Sequence, residues 1–343
     1  MALAGPTSQL GSELQSEPTV ADLLGALEPK LSACLGPSTT AALRARAESL
    51  PLAPFRVIGL ELPLAEPEAP ADLLLGLAPG VALRGLAGSI DGGAHLTGLI
   101  AALADPRHER FGELRDAWLE FDVGSGDGRV PSLFAAPERQ TLAGPLAQFL
   151  GATPSAQAGV EEVVQGLGDT AKVAQIGVMH GRESAELRCH LTSRQLDEAP
   201  PIGDLTRLGW QCDLPAIKAI LARYGPLAEW QSMGIGIGHD GELLPAAGLE
   251  LGHFGGGPEP FLRRLEQDGL AATDTISRLL DWRGHLIDPP GVLPPAFQAL
   301  TGLTRGRLVS AVTRRINHVK FTIRPGQAPT AKAYFGSQLL LVR

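Results

Sequence analysis

The chain has 343 residues, 44% hydrophobic and 19% charged, with a mean hydropathy of +0.08; this balance buries a full core and excludes disordered and collagen-like classes. A net charge of −8 with no lysine or arginine run excludes the electrostatic footprint of a nucleic-acid binder or of a protein drawn to anionic membranes. No leader-like start and no apolar stretch near about 18 residues occurs, and Cys34, Cys189 and Cys212 suit neither a disulfide framework nor a zinc cluster, so a cytoplasmic protein with reduced cysteines is expected.

Residues 1–19, rich in Ser, Gly and Pro, read as a flexible arm, and residues 20–343 as a single α+β domain. Thr19 should cap a helix over residues 20–35 that is interrupted at Pro29, and a second helix follows over 39–50. The rhythm then changes to pairs of strand-like segments separated by turn residues. The pairs are Phe55–Leu64 with Ala71–Ala78, Ala117–Val123 with Arg129–Ala135, and Lys172–His180 with Ala185–Leu191. Glu229–Ile237 with Glu242–Gly252 and Ile316–Ile323 with Thr330–Gly336 complete the series. Hairpins therefore recur roughly every 60 residues, with one long insertion before the last, which marks a repeat architecture. Segments such as 96–118, 217–230 and 260–282 carry helical apolar spacing between them.

Side chains alternate across a strand, so each hairpin sorts its residues into two faces. Trp118, Glu120 and Asp122 oppose Leu119, Phe121 and Val123; Glu186, Arg188 and His190 oppose Leu187, Cys189 and Leu191. His318, Lys320, Thr322 and Arg324 oppose Val319, Phe321 and Ile323, while Lys332 and Tyr334 oppose Ala331, Ala333 and Phe335. One face is apolar and wants helices over it; the other is strongly charged. An open sheet with a solvated face satisfies this pattern, and so do about ten antiparallel strands closed into a barrel with helices outside and a polar chamber within. In the closed form Arg188, Lys320, Arg324, Lys332 and Tyr334 make a basic, hydroxyl-bearing patch, with Glu120, Asp122, Glu186 and Glu250 as its acidic counterpart.

Three glycine-rich strings compete for a functional reading. Asp122–Gly128 matches the DxGxGxG of methyltransferases that use S-adenosylmethionine, but Pro131 follows where a helix should start, so a hairpin turn is expected there. Gly234 and Gly236, in GIGIG, fall on one strand face and read as a thin inner wall open to a ligand. Ile287–Gly291 reads as a helix stop. Eight histidines form no metal-binding spacing, and no nucleophile elbow or phosphate-loop signature occurs, so neither metal nor cofactor is expected.

The succession of about five hairpin-plus-helix units resembles the ABBA prenyltransferases, whose PT barrel is a ring of ten antiparallel strands enclosed by helices. AKAYFG is similar to the Lys-x-Tyr strands that hold diphosphate in their indole branch. That resemblance implies that Lys320, Lys332, Tyr334 and Arg188 bind diphosphate and that Glu120 acts as base. With only Tyr224 and Tyr334 as tyrosines, Trp118, Trp230 and phenylalanines would have to shield an allyl cation. The strings WLEFD, PSLF, ELRCHL, RLGW, GLEL, LLDWRG and INHVKFTIRPGQAPTAKAYFG resemble peptide-binding accessory proteins of crocagin-type gene clusters for ribosomally made, modified peptides. This second resemblance implies that the chamber receives a precursor peptide or its modified core for the enzymes of the same pathway.

Overall fold

The computed structural model describes residues 17–66, 70–77, 86, 88–90, 96–100, 114–123, 130–180, 187–193, 200–252, 254, 256–288 and 308–342. It opens on three helices, α1 (Val20–Ala26), α2 (Glu28–Leu35) and α3 (Pro37–Ala47). Thr19 caps α1 through a reciprocal box with Asp22. The interruption lies at Leu27, because Pro29 begins α2 within its first turn, where no N–H is needed. Pro18 accepts a 2.8 Å bond from Leu52 N and Thr19 bridges Pro51, so these two residues belong to the folded body; the rest of the expected arm, through residue 16, lies outside the described residues.

The strands are β1 (Phe55–Pro63), β2 (Asp72–Leu77), β3 (Leu114–Phe121), β4 (Ser132–Pro137), β5 (Ala171–Val178) and β6 (Leu187–Ser193). They continue as β7 (Trp230–Ile237), β8 (Leu243–Gly252), β9 (Gly284–Ile287), β10 (Val309–Ile323) and β11 (Thr330–Val342). Each of β1 to β7 pairs antiparallel with the next, β8 pairs with β10, β10 with β11, and β11 with β1, which closes a ring of ten strands. The closed form is thus the one adopted, and it leaves the ring no edge. β9 lies outside it, on the first half of β10; Ile287, expected in a helix stop, ends this strand. Leu114–Ala117, expected in a helix, begin β3.

Helices α4 (Ala143–Phe149) and α5 (Pro154–Leu167) return the chain from β4 to β5. Next come α6 (Ile202–Arg207) and α7 (Leu214–Tyr224) between β6 and β7, then α8 (Glu259–Gln267) and α9 (Thr273–Trp282) after β8. The five hairpins therefore turn at one end of the ring, and these helical connections return at the other. The outward strand residues and the helices form one core: Tyr224 and Phe261 pack on Phe321, and Trp282 meets Phe335 edge-on at 5.3 Å. Burying each such side chain contributes about 1.5–3 kcal/mol. Lys30 of α2 pairs with Asp281 of α9 at 2.7 Å and ties the first helices to the last.

Candidate functional site

The strand registers show which side chains share the inside. Around the ring, His318 is the partner of Tyr334, Tyr334 of Glu61, Glu61 of Asp72, Leu74 of Glu120 and Glu120 of Ser132. Farther round, Arg188 opposes Gly236, His190 opposes Gly234, Ser232 opposes Glu250 and Glu250 opposes Lys320. These positions enclose a chamber of about 860 Å³, lined among the described residues by six cationic side chains and four carboxylates. The chamber is therefore net positive inside a chain of net charge −8.

Trp118, Glu120, Arg188, Lys320, Arg324, Lys332 and Tyr334 all line this chamber, as the alternation of their strands requires. Gly234 and Gly236 do not. A side chain at 234 would meet the His190 ring and one at 236 would meet Leu244, so neighbouring side chains cover both glycines. Asp122 follows β3 outside the chamber lining, close enough to Asp72 to raise its pKa, and Glu186 lies outside the described residues. The glycines of the DxGxGxG string also lie outside them, but β3 and β4 flank that string as a direct antiparallel hairpin. A methyltransferase strand-to-helix turn is thereby ruled out at this place.

Two ion clusters dominate the wall. Glu61, 3% exposed, accepts from the Lys332 ammonium at Oε1 and from the Tyr334 hydroxyl at Oε2. Glu250, 5% exposed, has His190 Nδ1 and Lys320 Nζ each 3.3 Å from its Oε1. Buried charge is stable only when paired, and both glutamates meet that condition. Burial pushes the Glu250 pKa upward, but His190, Lys320 and His318 together outweigh it and hold the carboxylate well below its usual range. Lys332 loses hydration on burial, yet Glu61, with Asp72 and Glu120, keeps its ammonium charged and raises its pKa.

Aromatic surfaces complete the lining. The rings of His318 and Tyr334 stack at 4.2 Å, and Trp230 meets His318 edge-on at 5.7 Å. Trp118 lies over Gly76 and donates from Nε1 to Asp116 at 2.9 Å; Asp116 also receives Arg56 at 3.0 Å. Phe134 lies over Gly177. Burial lowers the His318 pKa to about 4, with Lys320 and His190 adding to the effect against Glu250 and Glu61, so its ring is neutral at physiological pH. Glu61 is the member that sequence reasoning passed over. The signal was present in β1, where Val57, Gly59 and Glu61 alternate with the apolar Ile58, Leu60 and Leu62.

No family model matches the chain, and no curated protein resembles it in sequence. Its structure, however, is similar to several solved ones. The 5-dimethylallyltryptophan synthase of Streptomyces coelicolor is 14% identical with a TM-score of 0.52, over 93% of this chain and 97% of that one. The prenyltransferase PriB, in a ternary complex with L-tryptophan and dimethylallyl thiolodiphosphate, is 12% identical with a TM-score of 0.56, over 92% and 96%. AnaPT of Neosartorya fischeri is 13% identical with a TM-score of 0.51, over 93% and 94%. At such identities the likeness concerns the fold, and over almost the whole of both chains that fold is the PT barrel of ten antiparallel strands within a ring of helices.

Proposed function

We propose that the protein transfers a prenyl group from an allylic diphosphate to an aromatic acceptor held inside the barrel. The observation that carries this reading is the coexistence, in one closed chamber, of converging cations and aromatic faces. Lys320 and Lys332 are register partners on β10 and β11, and Arg188 and Arg324 line the same space. Cations so placed can take up the negative charge that develops on a departing diphosphate. Trp118, Phe134, Trp230 and Tyr334 line the same space as the aromatic side chains near the carbon cation left behind, where a cation–ring contact is worth about 0.5–2 kcal/mol. They stand in for the tyrosines that the composition lacks. Solved structures of the same fold include enzymes named for dimethylallyl transfer to tryptophan, which supports this substrate pair.

A second reading, binding of a precursor peptide without chemistry, draws on a different observation. Both lysines already hold buried glutamates, so the resting chamber carries paired charges of both signs, as the termini and side chains of a peptide require. One experiment separates the two. Incubation with dimethylallyl diphosphate and L-tryptophan should yield a prenylated product, and Lys332→Met should reduce turnover about a hundredfold or more. Inorganic pyrophosphate at 100 times its dissociation constant should stabilise the wild type by about 2.7 kcal/mol. Absence of product and of pyrophosphate protection, with saturable binding of a tryptophan-containing peptide, would establish the binding reading instead.

A further inference from the structure

Two side chains converge on Glu250 from opposite sides, and glycines make both approaches possible. His190 on β6 is the register partner of Gly234 on β7, and Gly234 is the partner of Gly248 on β8. A Cβ at position 234 would lie 3.6 Å from His190 Cε1, and a longer side chain would fill the space the imidazole occupies. With glycine there, the ring spans β7 and brings Nδ1 within 3.3 Å of Glu250 Oε1. From the other direction Lys320 on β10 crosses Gly248, its Cε 2.7 Å from where a Cβ would stand, and reaches the same oxygen. The alternating glycines of β7 and β8 are thus a cleared floor for a carboxylate–imidazole pair.

The pair has a defined polarity. With Glu250 ionised and anchored by Lys320, Nδ1 is the ring nitrogen that carries a proton toward it, which leaves Nε2 as an acceptor on a residue that lines the chamber. Phe134 meets the same ring edge-on at 5.9 Å and fixes its plane. Glu61 already accepts one donor on each oxygen, from Lys332 and Tyr334, in the resting protein. We propose that His190, oriented by Glu250, is the proton acceptor of the transfer. This assignment rests on the prenyl-transfer reading and replaces Glu120 in that role. The allylic C–O bond breaks with its electron pair leaving on the diphosphate, and a π pair of the acceptor ring forms the new bond to the allylic carbon. The ring C–H pair then restores aromaticity while the proton passes to His190 Nε2.

The charged and titratable groups facing His190 are Glu250 from β8, Lys320 and His318 from β10, and Arg188 from its own strand; Gln175 opposite on β5 is uncharged. With dimethylallyl diphosphate and L-tryptophan, His190→Gln should lower kcat about a hundredfold or more with KM little changed. Glu250→Gln should retain partial activity, since the imidazole stays in place without its orienting carboxylate. In the substrate-free protein, side-chain ¹⁵N spectra should find His190 protonated at Nδ1. Wild-type turnover that His190→Gln preserves, turnover that Glu120→Gln alone abolishes, or an Nε2-protonated His190 would each overturn the assignment while leaving the transfer reading intact. Wild-type protein without turnover would overturn both.

Discussion

Asp72 holds its proton far more tightly than a surface aspartate. Burial first, then the neighbouring Glu61 and Asp122, push its pKa up to about 6, although its Oδ1 accepts from Val123 N at 3.0 Å. A carboxyl raised in the folded state above its unfolded value near 3.8 binds more protons folded than unfolded between these two pH values. Its contribution to stability is therefore complete below about pH 4 and is lost as pH rises through 6. Asp72→Asn keeps the acceptor for Val123 and removes the charge. It should raise stability at pH 7.5 by about 1–2 kcal/mol and flatten the dependence between pH 4 and 6, as read from urea unfolding at several pH values. At this scale the sequence revealed which residue types face inward but not which charges meet. Lys320, Lys332 and Glu250 were legible as charged-face residues, whereas their partners depend on registers between strands distant in sequence. Glu61 was hidden because β1 shows its polar face only at one residue.

Among the elements, most strand positions were legible because outward residues are apolar and inward ones polar or glycine, a period-two pattern that needs no tertiary information. The first half of β10 was not, and its bulge supplies the reason. Asn317 is the extra residue between Ile316 and His318, so the parity that places His318, Lys320 and Thr322 inside is reversed upstream, where Arg315 lines the chamber. β9 was missed because four residues pairing with that reversed half carry no alternation of their own long enough to read. Several strand glycines have a shared role that sequence could only hint at: Gly76, Gly177, Gly234, Gly236 and Gly248 are each covered by a side chain from an adjacent strand. Phe134 over Gly177 is the closest such contact, and a methyl group at 177 would overlap the ring. Gly177→Ala should cost about 1–3 kcal/mol in chemical denaturation, and Phe134→Leu in the same chain should recover part of the loss. Equal losses from the single and double variants would show that the ring does not rest on that glycine.

For the whole molecule, the number of hairpins suggested a barrel, but closure itself lies in one seam. Glu61 and Tyr334, 273 residues apart, meet where β1 joins β11. No local pattern encodes that pairing; it follows from the twist and shear accumulated over the other strands. A chain ending at residue 308 would lack β10 and β11 and leave β1 and β8 as open edges. Such a chain should associate more than the full chain on size-exclusion chromatography, since unpaired edges template further pairing. The seam also sets an order of events during synthesis. β11 emerges from the ribosome after the other ten strands, so until β10 and β11 are made the sheet stays open, with Glu250 held by His190 alone and Glu61 awaiting Lys332. The two strands that bring the lysines also complete the wall, so the last charge pairing of the chamber comes with the closing of the ring.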